Sequence, residues 1–125
     1  MENKKEKLED FKTAISSTVR SISNSEKIEV SFGNQTPKSE KNSIKLPELS
    51  QINNKLNFDQ IRAMADSKSL NFRFSDDKTF KEHEPVGNIS KRLYKISEKI
   101  RCEKIGTSYF KGVKNNIEKF YQERL

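Results

Sequence analysis

Apolar residues recur at helical spacing over three stretches of this chain and at strand spacing over one. In residues 2–23, Leu8, Phe11, Ile15, Val19 and Ile22 follow one another at intervals of three and four. That period predicts an amphipathic helix with a single buried stripe. From Lys27 the period drops to two, with Ile28, Val30 and Phe32 on one side, which predicts a short strand over 27–32. Gly33-Asn34 ends it. Between Asn34 and Ser43 the only apolar residue is Pro37, so this stretch reads as a mobile polar loop with little to bury. Ile44, Leu46, Pro47 and Leu49 re-anchor the chain in an extended segment, because Pro47 disfavours helix at Leu46. A further helix is expected from Asn57 or Asp59, with Asn57 as N-cap and Phe58, Ile61, Met64, Ala65 and Phe72 for burial. Leu70-Asn-Phe-Arg-Phe74 fits either a continuation of that helix or a strand. Ser75-Asp76-Asp77 is a turn signal, followed by a polar run to Pro85-Val-Gly-Asn88.

The last third, Asn88 to Tyr121, reads as two helices joined at Gly106. At about 100° per residue, Ile89, Leu93, Ile96 and Ile100 fall within a sector roughly 60° wide, the pattern of a core-facing stripe. Nearly opposite lie Tyr94, Glu98, Arg101, Cys102 and Ile105, a mixture too apolar for a purely solvated face. Arg92, Lys95 and Lys99 occupy the flank between. Such a helix is expected to have two neighbours, one of them on another chain. Gly106, preceded by Lys104, fits the left-handed C′ position that stops a helix. The helix after it places Phe110, Val113, Ile117, Phe120 and Tyr121 at three and four, and Gly112 within it fits close packing by another helix or, equally, loose local structure.

The predicted fold class is therefore mainly α: a small helical domain with one or two short strands and a mobile polar loop. Its parts are a helix at 1–23, a strand at 27–32, a loop or extended stretch at 33–56 and a helical part at 57–125. At 125 residues this is one domain at most, and an apolar fraction of 31% against 34% charged makes its core lean. The N-terminus MENKKEKLED is charged without an apolar centre, and no apolar run has membrane length, so a cytoplasmic protein is expected. The net charge of +7 raises the question of nucleic acid. Its source, however, is 19 lysines against 6 arginines beside 11 asparagines, a bias that AT-rich codons produce unaided. The lysines also alternate with glutamates instead of forming a block, so nucleic acid is not the expected partner.

No catalytic constellation emerges. His83 stands in Lys-Glu-His-Glu-Pro with no second histidine or thiol near it, which leaves a metal without a recognisable ligand set. Cys102, the sole cysteine, excludes an intrachain disulfide and has no histidine at helical spacing, so it reads as a quiet structural thiol. Asp76-Asp77 reads as a turn and not as an acid/base pair. There is no glycine-rich phosphate loop, nucleophile elbow or Asp-x-Ser-x-Ser motif. No catalytic, cofactor-binding or metal residue is assigned.

Two blocks carry a resemblance. Arg62, Ala65, Asp66, Ser67 and Leu70 match the first, and Glu98, Arg101, Glu103, Ile105, Gly106, Gly112, Val113 and Asn116 match the second, with Ile117 in place of leucine. On these, the chain resembles the N-terminal region of the CobT-type subunit of the ATP-dependent cobaltochelatase of cobalamin biosynthesis. It departs from the family pattern at Ala63, where glycine is usual, at Lys99, where glutamine is usual, and at Ser75 and Phe80, where histidines are usual. Family members continue through an acidic linker into a von Willebrand A-type domain, a part that this sequence does not contain, so an N-terminal domain or fragment is expected. The resemblance implies an accessory, non-corrin-binding role in a hetero-oligomer. In that assembly, cobalt enters hydrogenobyrinic acid a,c-diamide, a large subunit holds the corrin, and an AAA+ subunit hydrolyses ATP. The complex uses ATP, magnesium and cobalt, and none of these is expected on this chain. Arg62, Asp66, Glu98, Arg101 and Glu103 are the candidate network, either docking the AAA+ partner or tying helices together within the domain. The alternative is a stand-alone helical interaction protein or a nucleic-acid-associated factor.

Overall fold

The computed structural model describes residues 2–33, 42–48 and 55–124. Helix α1 (Glu2–Ser23) leads into strand β1 (Glu29–Phe32), followed by β2 (Ser43–Leu46) and helices α2 (Lys55–Phe74), α3 (Asp77–Glu82), α4 (Asn88–Tyr109) and α5 (Lys111–Arg124). The mainly helical class is as expected, with two strands. The expected loop at 34–43 falls mostly outside the described residues, as does Leu49. So does the Asn57 side chain, though α2 begins two residues before it.

Helix α1 ends on a Schellman motif. Asn24 takes a left-handed φ of 58°, its N–H donates to Ser21 O at 3.3 Å, and the Ser25 N–H donates to Arg20 O at 3.1 Å. This turn delivers the chain to β1, which pairs with β2 in parallel, Val30 opposite Ile44 and Phe32 opposite Leu46. The side chains of Ile28, Phe32, Ile44 and Leu46 join Ile15 and Val19 of α1 and Ile61 and Ala65 of α2 in one apolar cluster. A second cluster unites Ile22 and Leu70 with Cys102, Val113 and Ile117. Helix α2 belongs to both and packs against α1, α4, α5 and β2, so it is the axis of the domain. It runs unbroken through Leu70–Phe74, which settles the helix-or-strand ambiguity there.

Three corrections concern the chain beyond Phe74: the turn at 75–77, the glycines at 106 and 112, and the inner face of α4. The turn signal at 75–77 is also the start of a short helix: Asp76 caps α3, accepting from the Lys78 N–H at 3.3 Å and the Thr79 hydroxyl at 2.7 Å. Gly106 does not end a helix. It lies inside α4, where the Phe110 N–H donates to its carbonyl at 2.9 Å, and the only described glycines with positive φ are Gly33 and Gly87. Its function is proximity. A Cβ there would lie 2.1 Å from Cδ2 of Leu70, so the bare backbone lets α4 close on α2. The break between the last two helices falls four residues later, at Phe110, extended at φ −121° and ψ 104°. Gly112 has nothing within 4 Å of a Cβ position, so of its two readings close packing is the one that fails.

The third correction concerns which face of α4 is inside. Ile89, Leu93, Ile96 and Ile100, the expected core stripe, are 77%, 60%, 52% and 54% exposed. Cys102, Glu103 and Gly106 are buried instead. The aliphatic period identified a real face of the helix, but period alone does not say what covers it.

Candidate functional site

The charged residues singled out from the sequence sit at helix–helix joints. Asp66, buried on α2, accepts a hydrogen bond from Asn116 Nδ2 on α5 at 2.9 Å. Its carboxyl is raised above the usual range by burial, against the lowering influence of Asn116 and of the Arg62 charge. Glu103, buried on α4, accepts from the Tyr121 hydroxyl of α5 at 2.6 Å. Glu98 is gripped by Arg101 through two guanidinium nitrogens and accepts from the Ser75 hydroxyl at 2.6 Å. These partners, Arg101 first, hold its carboxyl below the usual range. Arg101 also donates to the Phe74 carbonyl at 2.9 Å, which fastens α4 to the end of α2. Arg62 stands apart: it is exposed, 3.6 Å from Asp59, and stacks over the Phe11 ring with 5.2 Å to the centroid. Asp59 also pairs with Lys119 of α5 at 2.9 Å. The five residues thus form separate ties, not one continuous patch.

Two other candidates take ordinary places. Cys102 is fully buried and its thiol is pushed upward by that burial, the opposite of what a nucleophile needs. His83 ends α3, exposed, with Nδ1 2.9 Å from the Thr79 carbonyl oxygen. Among the described residues no three His, Cys, Asp or Glu side chains gather as a metal ion would require. Nor, among them, is any helix long and apolar enough to cross a membrane.

What the helices leave open is a groove. The first half of α4 is anchored on its far side by α3: Phe80 and Tyr94 stack at 4.5 Å and the Tyr94 hydroxyl donates to Phe80 O at 2.8 Å. The second half closes on α2 at Cys102 and Gly106. Between α4, α2 and β2 a cleft of about 630 Å³ remains, with Ile44, Phe72 and Ile96 as its apolar surface. Its charged lining is Lys45, Lys68, Arg92, Lys95 and Lys99, with no carboxylate. None of these five makes an ion pair among the described residues. Lys68 donates to the Lys45 carbonyl at 2.5 Å, and burial, then the charges of Lys99 and Lys95, press its ammonium toward the neutral form.

The groove is absent from the sequence-based candidates. Arg92, Lys95 and Lys99 were visible there as one flank of a helix, but Lys45 and Lys68 come from β2 and α2, and only the fold brings them alongside.

A family model described as cobalamin biosynthesis protein CobT matches residues 5–125. No solved structure matches the chain.

Proposed function

The chain belongs to the family of the cobalamin biosynthesis protein CobT, and on that premise we propose that it is an accessory, non-corrin-binding part of an ATP-dependent cobaltochelatase, docking with the AAA+ subunit. In this reading the partner subunits supply the chemistry: the AAA+ subunit hydrolyses magnesium-bound ATP, and the large subunit holds hydrogenobyrinic acid a,c-diamide while cobalt(II) is inserted. The assembly works in the cytoplasm. The observation that carries a docking role is the aliphatic row Ile89, Leu93, Ile96 and Ile100, left in solvent on a helix whose second half packs firmly on α2. A row of that kind marks a surface that another element covers.

The charged residues divide accordingly. Asp66, Glu98, Arg101 and Glu103 hold α4 and α5 in their places, so their part in docking is to present α4 correctly. Arg62 remains accessible on α2.

The test is reconstitution. The chain should co-elute with the AAA+ subunit, and ATP-dependent cobalt insertion by the AAA+ and large subunits should rise when the CobT-type subunit containing it is added. An AAA+ subunit that neither binds the chain nor responds to it sinks the proposal, and the stand-alone interaction protein then becomes the working reading.

A further inference from the structure

We propose that the exposed row of α4 and the basic groove beside it form one docking surface for an acidic amphipathic helix supplied by a partner protein. The proposal rests on the docking reading above and adds the surface and the chemistry of what fills it.

Four observations converge. First, Ile89, Leu93, Ile96 and Ile100 extend from the first to the last of twelve residues, about 16 Å of helix, which is the length of three helical turns on a partner. Second, the row is continuous with the groove, since Ile96 belongs to both. At the other end, Ile96 and Ile100 border a second cleft of about 460 Å³ toward α5. Third, all five ionised side chains lining the groove are cationic and none has an ion-pair partner among the described residues. Lys68, exposed at the surface, donates to the Lys45 carbonyl, and partial desolvation followed by the Lys99 and Lys95 charges lowers its pKa. Fourth, Val86, two residues ahead of α4, is 95% exposed and adds a further apolar side chain in solvent near that end of the helix in sequence.

The charge decides the occupant. A helix with its apolar side chains on the α4 row would place one flank over the groove, and carboxylates on that flank would neutralise Lys68, Lys95 and Lys99. A second copy of this chain brings the same basic flank to the contact, so its cations would face cations. A nucleic acid would satisfy the cations but leave Ile89 and Leu93 in water.

The experiment uses the chain and two synthetic peptides of about 18 residues, each helical with leucines at three-four spacing. One carries glutamates on its flanks, the other lysines at the same positions. Nuclear magnetic resonance titration should show saturable shifts at Ile96, Ile100, Lys95 and Lys99 with the acidic peptide, and affinity for the basic twin at least about tenfold lower. The double variant Lys95→Glu/Lys99→Glu should reverse that preference, and Ile96→Ser should weaken both peptides; all three positions are exposed, and circular dichroism checks that the helices persist. Equal affinity for the two peptides, shifts on another face, displacement of the acidic peptide by a short oligonucleotide at matched charge, or a dimer through the row in sedimentation each overturn the proposal.

A second arm separates it from the chelatase reading. If the AAA+ subunit binds wild type and Ile96→Ser alike, the surface is wrong and the chelatase reading stands. If the AAA+ subunit ignores wild type while the peptides behave as expected, the chelatase reading falls and the surface stands.

Discussion

Gly106 and Leu70 share a space that only one side chain can occupy. Leu70 is fully buried, and its Cδ2 would lie 2.1 Å from a Cβ at 106. Gly106→Ala should therefore cost about 1–3 kcal/mol through overpacking, despite alanine's better helix propensity. In a Leu70→Ala background most of that cost should vanish, because the clashing atoms are gone. Urea denaturation of the two single variants and the double variant gives the coupling directly, and simple additivity would show that the contact is not the reason for the glycine. Gly112 is the control: with open space around it, Gly112→Ala should be neutral or stabilising by up to about 1 kcal/mol. Asp66 offers a different residue-level test. Burial raises its folded pKa above the ordinary 3.8, so the folded state holds the proton more tightly than the unfolded chain does. The contribution of this group to stability is complete below that ordinary value and is lost as pH rises through the raised one. Asp66→Asn keeps an oxygen to accept from Asn116 and has no charge to desolvate. Its stability relative to wild type should thus increase with pH across that window, and a difference that stays flat or runs the other way contradicts the assignment. Glu98 has the opposite sign: Arg101 and Ser75 depress its pKa, so its contribution is present above the ordinary 4.5 and lost as pH falls through the depressed value.

At the scale of elements, α4 tests which face is inside. Ile117 on α5, buried against Cys102 and Leu70, should cost about 2–5 kcal/mol as Ile117→Ala. Leu93→Gln, on the exposed row, should change stability by no more than about 0.5 kcal/mol. Thermal unfolding of the pair decides it, and a large loss for Leu93→Gln would restore the original expectation of a core-facing stripe. That expectation shows how much of the fold was legible. Helix α1, the Ile28–Phe32 strand and the presence of two helices in the last third, though not the break between them, followed from period, because the apolar residues there alternate or recur at regular spacing. What period cannot supply is the identity of the neighbour. Cys102, Glu103 and Gly106 form an inner face less hydrophobic than the four exposed aliphatics, so period and hydrophobicity together point to the wrong side. Helix α3 escaped notice because no residue in it is buried, and its fixing contacts come from Asp76 and from Tyr94 on another helix. The parallel partner of β1 was equally hidden, since Ile44 and Leu46 look alike in a strand and in an extended anchor. Of the candidate site, the charged ties lay in residues already singled out, whereas the basic groove needed three elements brought together.

For the molecule as a whole, the elements that the two apolar clusters share among the described residues are α1 and α2, with Ile15, Val19, Ile61 and Ala65 in one and Ile22 and Leu70 in the other. This arrangement makes α2 the last element to come apart, because opening it exposes both clusters at once, while α3 can detach at the expense of little more than the Phe80–Tyr94 contact and a few polar ties. Native-state hydrogen exchange should therefore find the slowest amides in the middle of α2, between Ile61 and Leu70, exchanging only through global unfolding. The fastest helical amides away from the ends of the chain should be those of α3, followed by the first two turns of α4, which are anchored on one side and open to the groove on the other. A domain arranged in this way offers a rigid α2 as support and a loosely held first half of α4 as the adaptable surface. Binding at the exposed row would then slow exchange in α4 from Ile89 to Ile100, and it would slow the middle of α2 as well, because those amides exchange only through global unfolding and a partner held by the folded state stabilises the whole fold. Uniform exchange rates across α2, α3 and α4 would mean that the two clusters unfold as a single unit, and that the first half of α4 is no more adaptable than the axis it leans on.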